Sequence, residues 1–328
     1  MSRHIQTLRG LACVLLVLYH VIGTDPWHGL RITDGPVRLF NDGLAYLRMP
    51  LFTVLSGLVY GFRPFLKQGD SRIFLIGKVR RLMVPMLVVG TAFALLQAAN
   101  PRSNEIVPNW LLLHIEPVAH FWFLESLLWI FVLVWALERR AYLSRRHDYL
   151  LVFLASVLLY LTVRGPRLLG IQGAIYLLPY FLFGLAATRF GWSSKLRQRW
   201  LQIALLLLAA FAVVQIGIPA FYPDRRTWLF LLAGLSLCGL CLSVRIEWPW
   251  LARIGAAAYT IYLFHVFFTA TSRIALERVG LNILPVQIAV GLLSGLIGPL
   301  FVDIYASRTP WLALLLLGKS PRKRLQST

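Results

Sequence analysis

Charged residues are scarce in this chain, and acidic residues are scarcer still. Only 14% of its 328 residues are charged, and 13 Asp and Glu against 33 Lys and Arg give a formal net charge of +20. At the same time, 58% of the residues are hydrophobic and the mean hydropathy is +0.70. A soluble nucleic-acid-binding protein keeps about half of its residues apolar and gathers its basic residues on one polar face. The composition therefore predicts a membrane protein with no nucleic-acid partner.

Cysteine is scarce as well, with three residues that each lie inside an apolar run, Cys13, Cys238 and Cys241. This excludes a secreted disulfide scaffold. Cys238 and Cys241 are one helical turn apart in an apolar setting, so we expect them to pack and not to carry redox chemistry. Because the sequence contains no metal-ligand cluster, P-loop or Rossmann glycine pattern, we expect no metal and no permanently bound cofactor.

Long apolar runs dominate the rest of the chain. A helix that spans a bilayer needs about 20 apolar residues and satisfies its own backbone hydrogen bonds. Ten runs are candidates, over residues 8–23, 43–62, 82–99, 118–137, 149–163, 174–188, 201–220, 228–244, 254–272 and 283–306, of which the fifth and sixth are short. The apolar segment over residues 311–317 is too short to cross a bilayer, and we predict that it lies at the membrane interface, anchored by Trp311. We predict an all-α, polytopic membrane protein with a single membrane-embedded domain over residues 1–328, including a short basic tail from about residue 318.

The basic residues predict the orientation. If the amino terminus is cytoplasmic, 23 of the 33 basic residues fall on the cytoplasmic side, nine fall outside, and Arg48 lies within the second span. The outer nine are Arg31, Arg38, Arg102, Arg164, Arg167, Arg225, Arg226, Arg273 and Arg278. This imbalance follows the positive-inside rule, so we expect both termini in the cytoplasm.

A few ionisable residues lie at membrane depth, where an Arg at a helix centre costs roughly 2.5–3.5 kcal/mol on insertion scales. They are Arg9, His20, Arg48, His120, Glu125 and His265, with Lys78, Arg80 and Arg81 at the entry to the third span. Arg9 and His20 are 11 residues apart, which places them about 16 Å apart on one side of a helix. Each histidine could instead be a packed residue hydrogen-bonded to a neighbouring helix, and the basic run could serve topology alone. The alternative for the basic run is a phosphate clamp facing the cytoplasm.

Several motifs resemble one known family. They are IQTLRGLACVLLVLYH with Arg9 and His20, MPLFTVLSGL around Ser56, KVRRLMVP, HFWFL from His120, PYFLFG, and IGAAAYTIYLFH ending at His265. In this order they are similar to the acyltransferase-3 family of integral-membrane O-acyltransferases, and the resemblance spans residues 5 to about 270. The sequence departs from the family pattern at Gln6, where many members carry Asp. The basic pair of the family's RxxR element corresponds to Lys78 and Arg81.

The resemblance implies transfer of an acyl group, usually acetyl from acetyl-CoA, to a hydroxyl of a cell-surface or exopolysaccharide glycan or its lipid-linked precursor. It implies residence in the bacterial cytoplasmic membrane, with acyl-CoA, the saccharide acceptor, membrane lipids and glycan-assembly proteins as partners. Under this hypothesis, His20 is the general base, Arg48 contacts the acceptor or the developing oxyanion, and His120 lines the site. Lys78, Arg80 and Arg81 hold the CoA phosphates, Arg9 lies on the same route, and Glu125 pairs with Arg48 or Arg9.

Other interpretations remain open. An acyl relay through Ser56 or a histidine is a second mechanism, although Ser56 fits better as a small residue at a helix contact. His265 could line the site or could be a packing residue. A transporter or flippase for a glycan-related substrate is the alternative function, although the two halves of the chain show no convincing internal repeat.

Overall fold

A computed structural model describes residues 2–25, 27–65, 69–99, 109–191 and 226–320, together with a few positions between 198 and 210. Within these ranges all regular secondary structure is helical, apart from a single isolated bridge between Leu113 and Glu116. The all-α prediction is therefore confirmed for the part of the chain that the structure describes.

Twelve α-helices are assigned in the described ranges. They are α1 (Arg3–Ile22), α2 (Gly35–Gly43), α3 (Arg48–Phe62), α4 (Ser71–Ala99), α5 (Trp122–Arg139), α6 (Arg146–Thr162), α7 (Ile171–Arg189), α8 (Trp228–Ser243), α9 (Pro249–Ala256), α10 (Ala258–Arg278), α11 (Leu284–Arg308) and α12 (Pro310–Leu317). Short 3-10 turns precede α3, α5 and α7.

Six helical segments among the described residues are long and apolar enough to cross a membrane. Helices α9 and α10 form a seventh candidate, which bends by 84° at Ala257. Two more predicted spans correspond to α6 and α8, which have 17 and 16 residues and are short for a bilayer. The predicted span over 201–220 lies largely outside the described residues. The structure thus supports a multi-pass membrane protein with six or seven candidate spans, and the count of about ten stays a prediction.

The third predicted span differs from the structure at its beginning. Helix α4 begins at Ser71 and not at residue 82, because the carboxylate of Asp70 accepts hydrogen bonds from the backbone N–H groups of Arg72 (2.7 Å) and Ile73 (3.2 Å). Lys78, Arg80 and Arg81 consequently lie inside the helix, and not before it as the sequence suggested. Pro85 also lies within α4 and does not end it.

Small residues let neighbouring helices approach closely. Helices α3 and α7 cross with reciprocal glycines, Gly57 against the Phe181 carbonyl and Gly184 against the Val54 carbonyl. Gly291 of α11 lies against α1, where an added Cβ would come within 2.9 Å of Val21. These contacts are typical of helix interfaces in membranes, and Gly291 with Gly295 forms a GxxxG pair through which α11 packs closely on α1.

Candidate active site

A cavity of about 840 Å³ lies where one set of helix ends meets. It is lined by the last turns of α1, α4 and α10, by the first turns of α3, α7 and α11, and by the segments before α5 and α8. From α3 to α7, successive helices thus alternately begin and end at the cavity, and α10 ends and α11 begins there. Its ionisable side chains in the described residues, tyrosines aside, are His20, His28, Arg48, His120, Arg164, Arg167, Arg226 and Arg273.

Three histidines from three different helical segments meet at this cavity. The ring centroids of His20 and His265 are 4.8 Å apart, those of His120 and His265 are 4.9 Å apart, and those of His20 and His120 are 5.8 Å apart. His20 and His120 line the cavity, whereas His265 lies behind them with no exposed surface. The helices therefore bring together three imidazoles that are separated by up to 245 positions in the sequence.

His120 is held by a constrained turn. Ala119 adopts a φ of 44°, in the left-handed region that non-glycine residues seldom occupy, and α5 begins two residues after His120. The hydroxyl of Tyr262 donates to the backbone carbonyl of His120. Neither ring nitrogen of His120 has a hydrogen-bond partner within the described part of the chain. The turn therefore fixes the backbone of His120 at the cavity wall, with the backbone of Tyr262 and Leu263 close to the ring.

The environment of His265 identifies its tautomer. Its Nδ1 lies 2.9 Å from the carbonyl of Ile261 and 3.0 Å from that of Tyr262. Because a carbonyl can only accept, Nδ1 carries the proton and Nε2 of the neutral ring is an acceptor. His265 can therefore receive a hydrogen bond from a neighbouring imidazole, which would orient that ring.

Arg48 lies in the cavity wall and is only 4% exposed. Its guanidinium donates to the side-chain oxygen of Asn41 at 2.9 Å and lies 3.8 Å from the ring centroid of Tyr19. Asn41 in turn donates to the carbonyl of Gly23 at 2.9 Å. A planar cation held by hydrogen bonds and an aromatic face is a preorganised site for negative charge.

The rim of the cavity includes an acid–histidine pair. His28 lies 2.7 Å from the carboxylate of Asp25, which also accepts from the backbone N–H of Trp27. Partial burial acts to raise the pKa of Asp25, but the hydrogen bonds from His28 and Trp27 outweigh burial and leave that pKa below its ordinary value. Asp25 is therefore ionised near neutral pH and offsets part of the positive charge at the rim.

Glu125 lies outside the cavity lining and is 3% exposed. It packs against Gly170, where an added Cβ would come within 2.7 Å of the Glu125 Cβ. Neither carboxylate oxygen has a hydrogen-bond partner among the described residues, so the expected pair with Arg48 or Arg9 is not formed. Glu125 lies in the first turn of α5, directly after the turn that contains His120, and on a side of the helix that does not line the cavity.

The remaining sequence candidates lie at the opposite end of α1 and α4, which we call the basic end and define by Arg9, Lys78, Arg80 and Arg81. None of these four residues lines the cavity. Arg81 is exposed, and its charge lies close enough to Arg9 and to Lys78 for mutual repulsion. The Nε of Arg80 donates to the carbonyl of Gly318 at 3.3 Å, so this side chain turns towards the carboxyl-terminal segment.

Lys78 has an aromatic environment. Its ammonium lies 3.7 Å from the ring centroid of Phe131, 5.2 Å from that of Phe74 and 5.8 Å from that of Tyr60. Three rings within reach of one ammonium stabilise the charge through cation–π attraction. Lys78 therefore adds positive potential at the basic end from a fixed position.

Four arginines of the cavity are not among the site residues that the sequence predicts. Their positions in predicted outer loops indicate a role in topology alone, but all four line the cavity: Arg164, Arg167, Arg226 and Arg273. The signal that could identify them is that they oppose the positive-inside rule, which disfavours arginine in outer loops. Ser56, by contrast, donates to the carbonyl of Phe52 in its own helix at 2.8 Å and does not line the cavity.

A model of an acyltransferase domain matches residues 3–304, which is nearly the whole chain. The chain belongs to the acyltransferase-3 family. No curated protein and no solved structure matched the chain. The match covers every cavity-lining residue of this membrane acyltransferase, so the cavity and its histidines lie within the domain that defines the family.

Proposed function

We propose that this acyltransferase moves an acetyl group from acetyl-CoA to a hydroxyl of a surface or exopolysaccharide glycan or of its lipid-linked precursor. The observation that carries the proposal is the meeting of His20, His120 and His265 beside Arg48 at one cavity. Acyl transfer to an alcohol needs a base for the hydroxyl proton and a donor for the oxyanion, and this group of side chains offers both.

In the proposed reaction, a neutral His20 imidazole accepts the proton of the acceptor hydroxyl while the hydroxyl oxygen bonds to the thioester carbonyl carbon. The carbon–sulfur bond then breaks, and the CoA sulfur leaves with the proton that His20 returns. His120 contacts the reacting groups from the other wall of the cavity. His265 is a positioning residue, because its Nε2 can accept a hydrogen bond from either neighbouring ring.

Arg48 is suited to the charge that develops on the carbonyl oxygen. It is already fixed by Asn41 and Tyr19, so it needs little reorganisation when that charge appears. Glu125 has no assigned role in this mechanism, since its carboxylate lies outside the cavity lining.

The donor enters, in this proposal, at the basic end. Arg9 and His20 lie on one helix about 16 Å apart, so phosphates held near Arg9 and Arg81 leave the extended pantetheine arm to run along α1 towards the histidines. Lys78 contributes its charge from within its three rings. Arg80 is left out of the phosphate site because its guanidinium faces Gly318.

The proposal includes ten spans, cytoplasmic termini and residence in the bacterial cytoplasmic membrane. The alternation of helix beginnings and ends at the cavity supports an antiparallel course for α3 through α7 and for the pair α10 and α11. The cytoplasm supplies acetyl-CoA, and the positive-inside rule places the basic end there. The cavity then opens towards the outer face, beside membrane lipids and glycan-assembly partners.

The test uses purified full-length protein in lipid nanodiscs with radiolabelled acetyl-CoA and an acceptor glycan. We expect CoA thiol release that requires the acceptor, and His20→Ala lowers kcat by about 10²–10⁴-fold, as for loss of a general base. The control is His147→Ala, which changes an exposed histidine of α6. Undiminished transfer by folded His20→Ala protein contradicts the assignment. When the same protein is reconstituted in sealed proteoliposomes, glycan uptake without thiol release favours a transporter.

A further inference from the structure

We propose that the acceptor carries an oxyanion, a phosphate or a carboxylate, which the arginines of the cavity bind. This rests on the proposed function and adds the chemical class of its acceptor. Five arginines reach the cavity from separate parts of the chain, and the described lining includes no Asp or Glu. They are Arg48 at the start of α3, Arg164 and Arg167 after α6, Arg226 before α8, and Arg273 in α10.

Arg226 is buried and is held in a fixed position in the cavity wall. It is 8% exposed, and its guanidinium donates to the carbonyls of Gln172 at 2.7 Å and Tyr160 at 3.3 Å. Its charge also lies 5.6 Å from the ring centroid of Tyr160 and 5.7 Å from that of Tyr176. Burial of an arginine is costly unless contacts hold it, and these contacts place it in the cavity wall.

Within the part of the chain that the structure describes, the acidic groups near the cavity are fewer than its arginines. Glu277 lies 3.5 Å from Arg273 on the same helix, and Asp25 is bonded to His28 at the rim. Glu125 is buried outside the lining. Among the described residues, five arginines therefore line the cavity, no acid lines it, and two acids lie at its edge.

Topology does not account for these arginines. In the proposed orientation the cavity faces outward, and the positive-inside rule disfavours arginine on that side. Nevertheless, four of the nine outer basic residues line the cavity. Topology alone gives no reason for them to converge on one cavity, whereas an anionic ligand does.

The guanidinium group selects the kind of anion. Its planar fork forms paired hydrogen bonds with the oxygens of phosphates and carboxylates, and such bonds strengthen in a partly desolvated cavity. A phosphate would belong to the lipid-linked end of a glycan precursor, and a carboxylate to an acidic sugar. Both share the same binding chemistry, and the experiment separates them.

The experiment measures binding without any donor, so that it does not depend on transfer. His20→Ala protein in nanodiscs is titrated with three matched probes, methyl glucoside, glucuronate and glucose 1-phosphate, by isothermal calorimetry. We expect at least about tenfold tighter binding of one anionic probe than of methyl glucoside, because a hydrogen bond to a charged group contributes about 10- to 100-fold. The anionic probe that binds more tightly identifies the source of the oxyanion. Equal affinity for all three probes overturns the proposal.

Variants locate the binding site. Arg226→Gln and Arg167→Gln are each expected to weaken binding of the anionic probe by about 10- to 100-fold and to leave methyl glucoside unchanged. Arg167 is exposed, so its variant remains informative if Arg226→Gln fails to fold. Arg278→Gln, an exposed outer arginine that does not line the cavity, is the control. Unchanged binding in both cavity variants overturns the proposal. So does competition by adenosine 3′,5′-bisphosphate that is lost in the same variants, because the cavity would then hold the donor.

If the proposed function fails while the inference holds, the anionic probes bind and acetyl transfer is absent. If the inference fails while the function holds, transfer proceeds with neutral acceptors and the arginine variants leave it unchanged. The two results are therefore distinguishable with the same preparation of protein.

Discussion

The basic end and the cavity both concentrate arginine, but they arrange it differently. At the basic end, Lys78, Arg80 and Arg81 lie within one turn of α4 and point in different directions. At the cavity, Arg48 and Arg226 come from distant segments and face a shared space. Adjacent charges on a helix therefore spread around its axis, whereas distant charges at helix ends can converge.

The charges at the two ends also differ in burial. At the basic end Arg81 is exposed, while Lys78 contacts three aromatic rings and Arg80 bonds to Gly318. In the cavity wall, Arg48 and Arg226 are both buried and held by oxygens and aromatic rings of the protein. Three substitutions sharpen or break this comparison.

The largest expected effect concerns stability near the basic end. Arg189 at the end of α7 pairs with the carboxylate of Glu138, which is 1% exposed, and donates to the Leu143 carbonyl at 2.7 Å. Arg189→Ala leaves a buried carboxylate without its cation, and we expect the free energy of unfolding to fall by about 3–5 kcal/mol. Thermal unfolding in detergent measures this loss.

The control for Arg189→Ala is Lys319→Ala, which removes a more exposed pair with Asp303 at 3.1 Å. A pair of this kind contributes about 0–1 kcal/mol. If the two variants unfold at the same temperature, the pair between Arg189 and Glu138 does not stabilise the protein as predicted.

The next effect concerns catalysis at the cavity. Arg48→Leu removes the guanidinium fixed by Asn41 and Tyr19, and we expect kcat to fall by about 10²–10³-fold, as for loss of an oxyanion donor. Arg48→Lys keeps the charge and loses the planar fork, so it should retain intermediate activity. Steady-state kinetics measures both. Arg253→Leu, an exposed arginine of α9, is the control, and a purely KM effect in Arg48→Leu contradicts a role in the transition state.

The smallest effect separates two neighbours at the basic end. Arg81→Ala is expected to raise KM for acetyl-CoA by about 10- to 100-fold with little change in kcat, because it removes a charge-assisted hydrogen bond to phosphate. Arg80→Ala removes only the contact with Gly318 and should leave KM unchanged. Initial-rate measurements over a range of acetyl-CoA concentrations decide between them. An equal rise in KM for both substitutions would contradict this separation, and an unchanged KM in Arg81→Ala would contradict a role of Arg81 in donor binding.

Much of the fold follows from the sequence, because apolar runs can only be helices in a bilayer. Helix α11 occupies Leu284–Arg308 against a predicted 283–306, and the segment after it forms the short helix Pro310–Leu317. The beginning of α4 does not follow from hydropathy. The capping residue Asp70 lies before the apolar run that begins at residue 82. Lysine and arginine are good helix formers, so the helix extends from the apolar run back to this cap.

The site is only partly predictable for a similar reason. His20 and His120 can be identified because an ionisable residue at membrane depth needs a function or a partner, and His265 has the same signal. Their meeting at one cavity depends on helix packing, which the sequence does not reveal. Arg226 is missed because it lies in a predicted outer loop, where its charge is interpreted as topology alone. Glu125 shows the opposite outcome, since its depth suggests an ion pair that the structure does not form.

The central claim is that the donor enters at the basic end and that transfer occurs at the cavity on the other side. Sided transfer in proteoliposomes tests it most directly, with orientation established by thiol labelling of Arg72→Cys and Gln97→Cys at opposite ends of α4. We predict labelled glycan only when acetyl-CoA is on the Arg72 side and the acceptor is on the Gln97 side. Efficient transfer with both substrates confined to the Gln97 side would contradict the account.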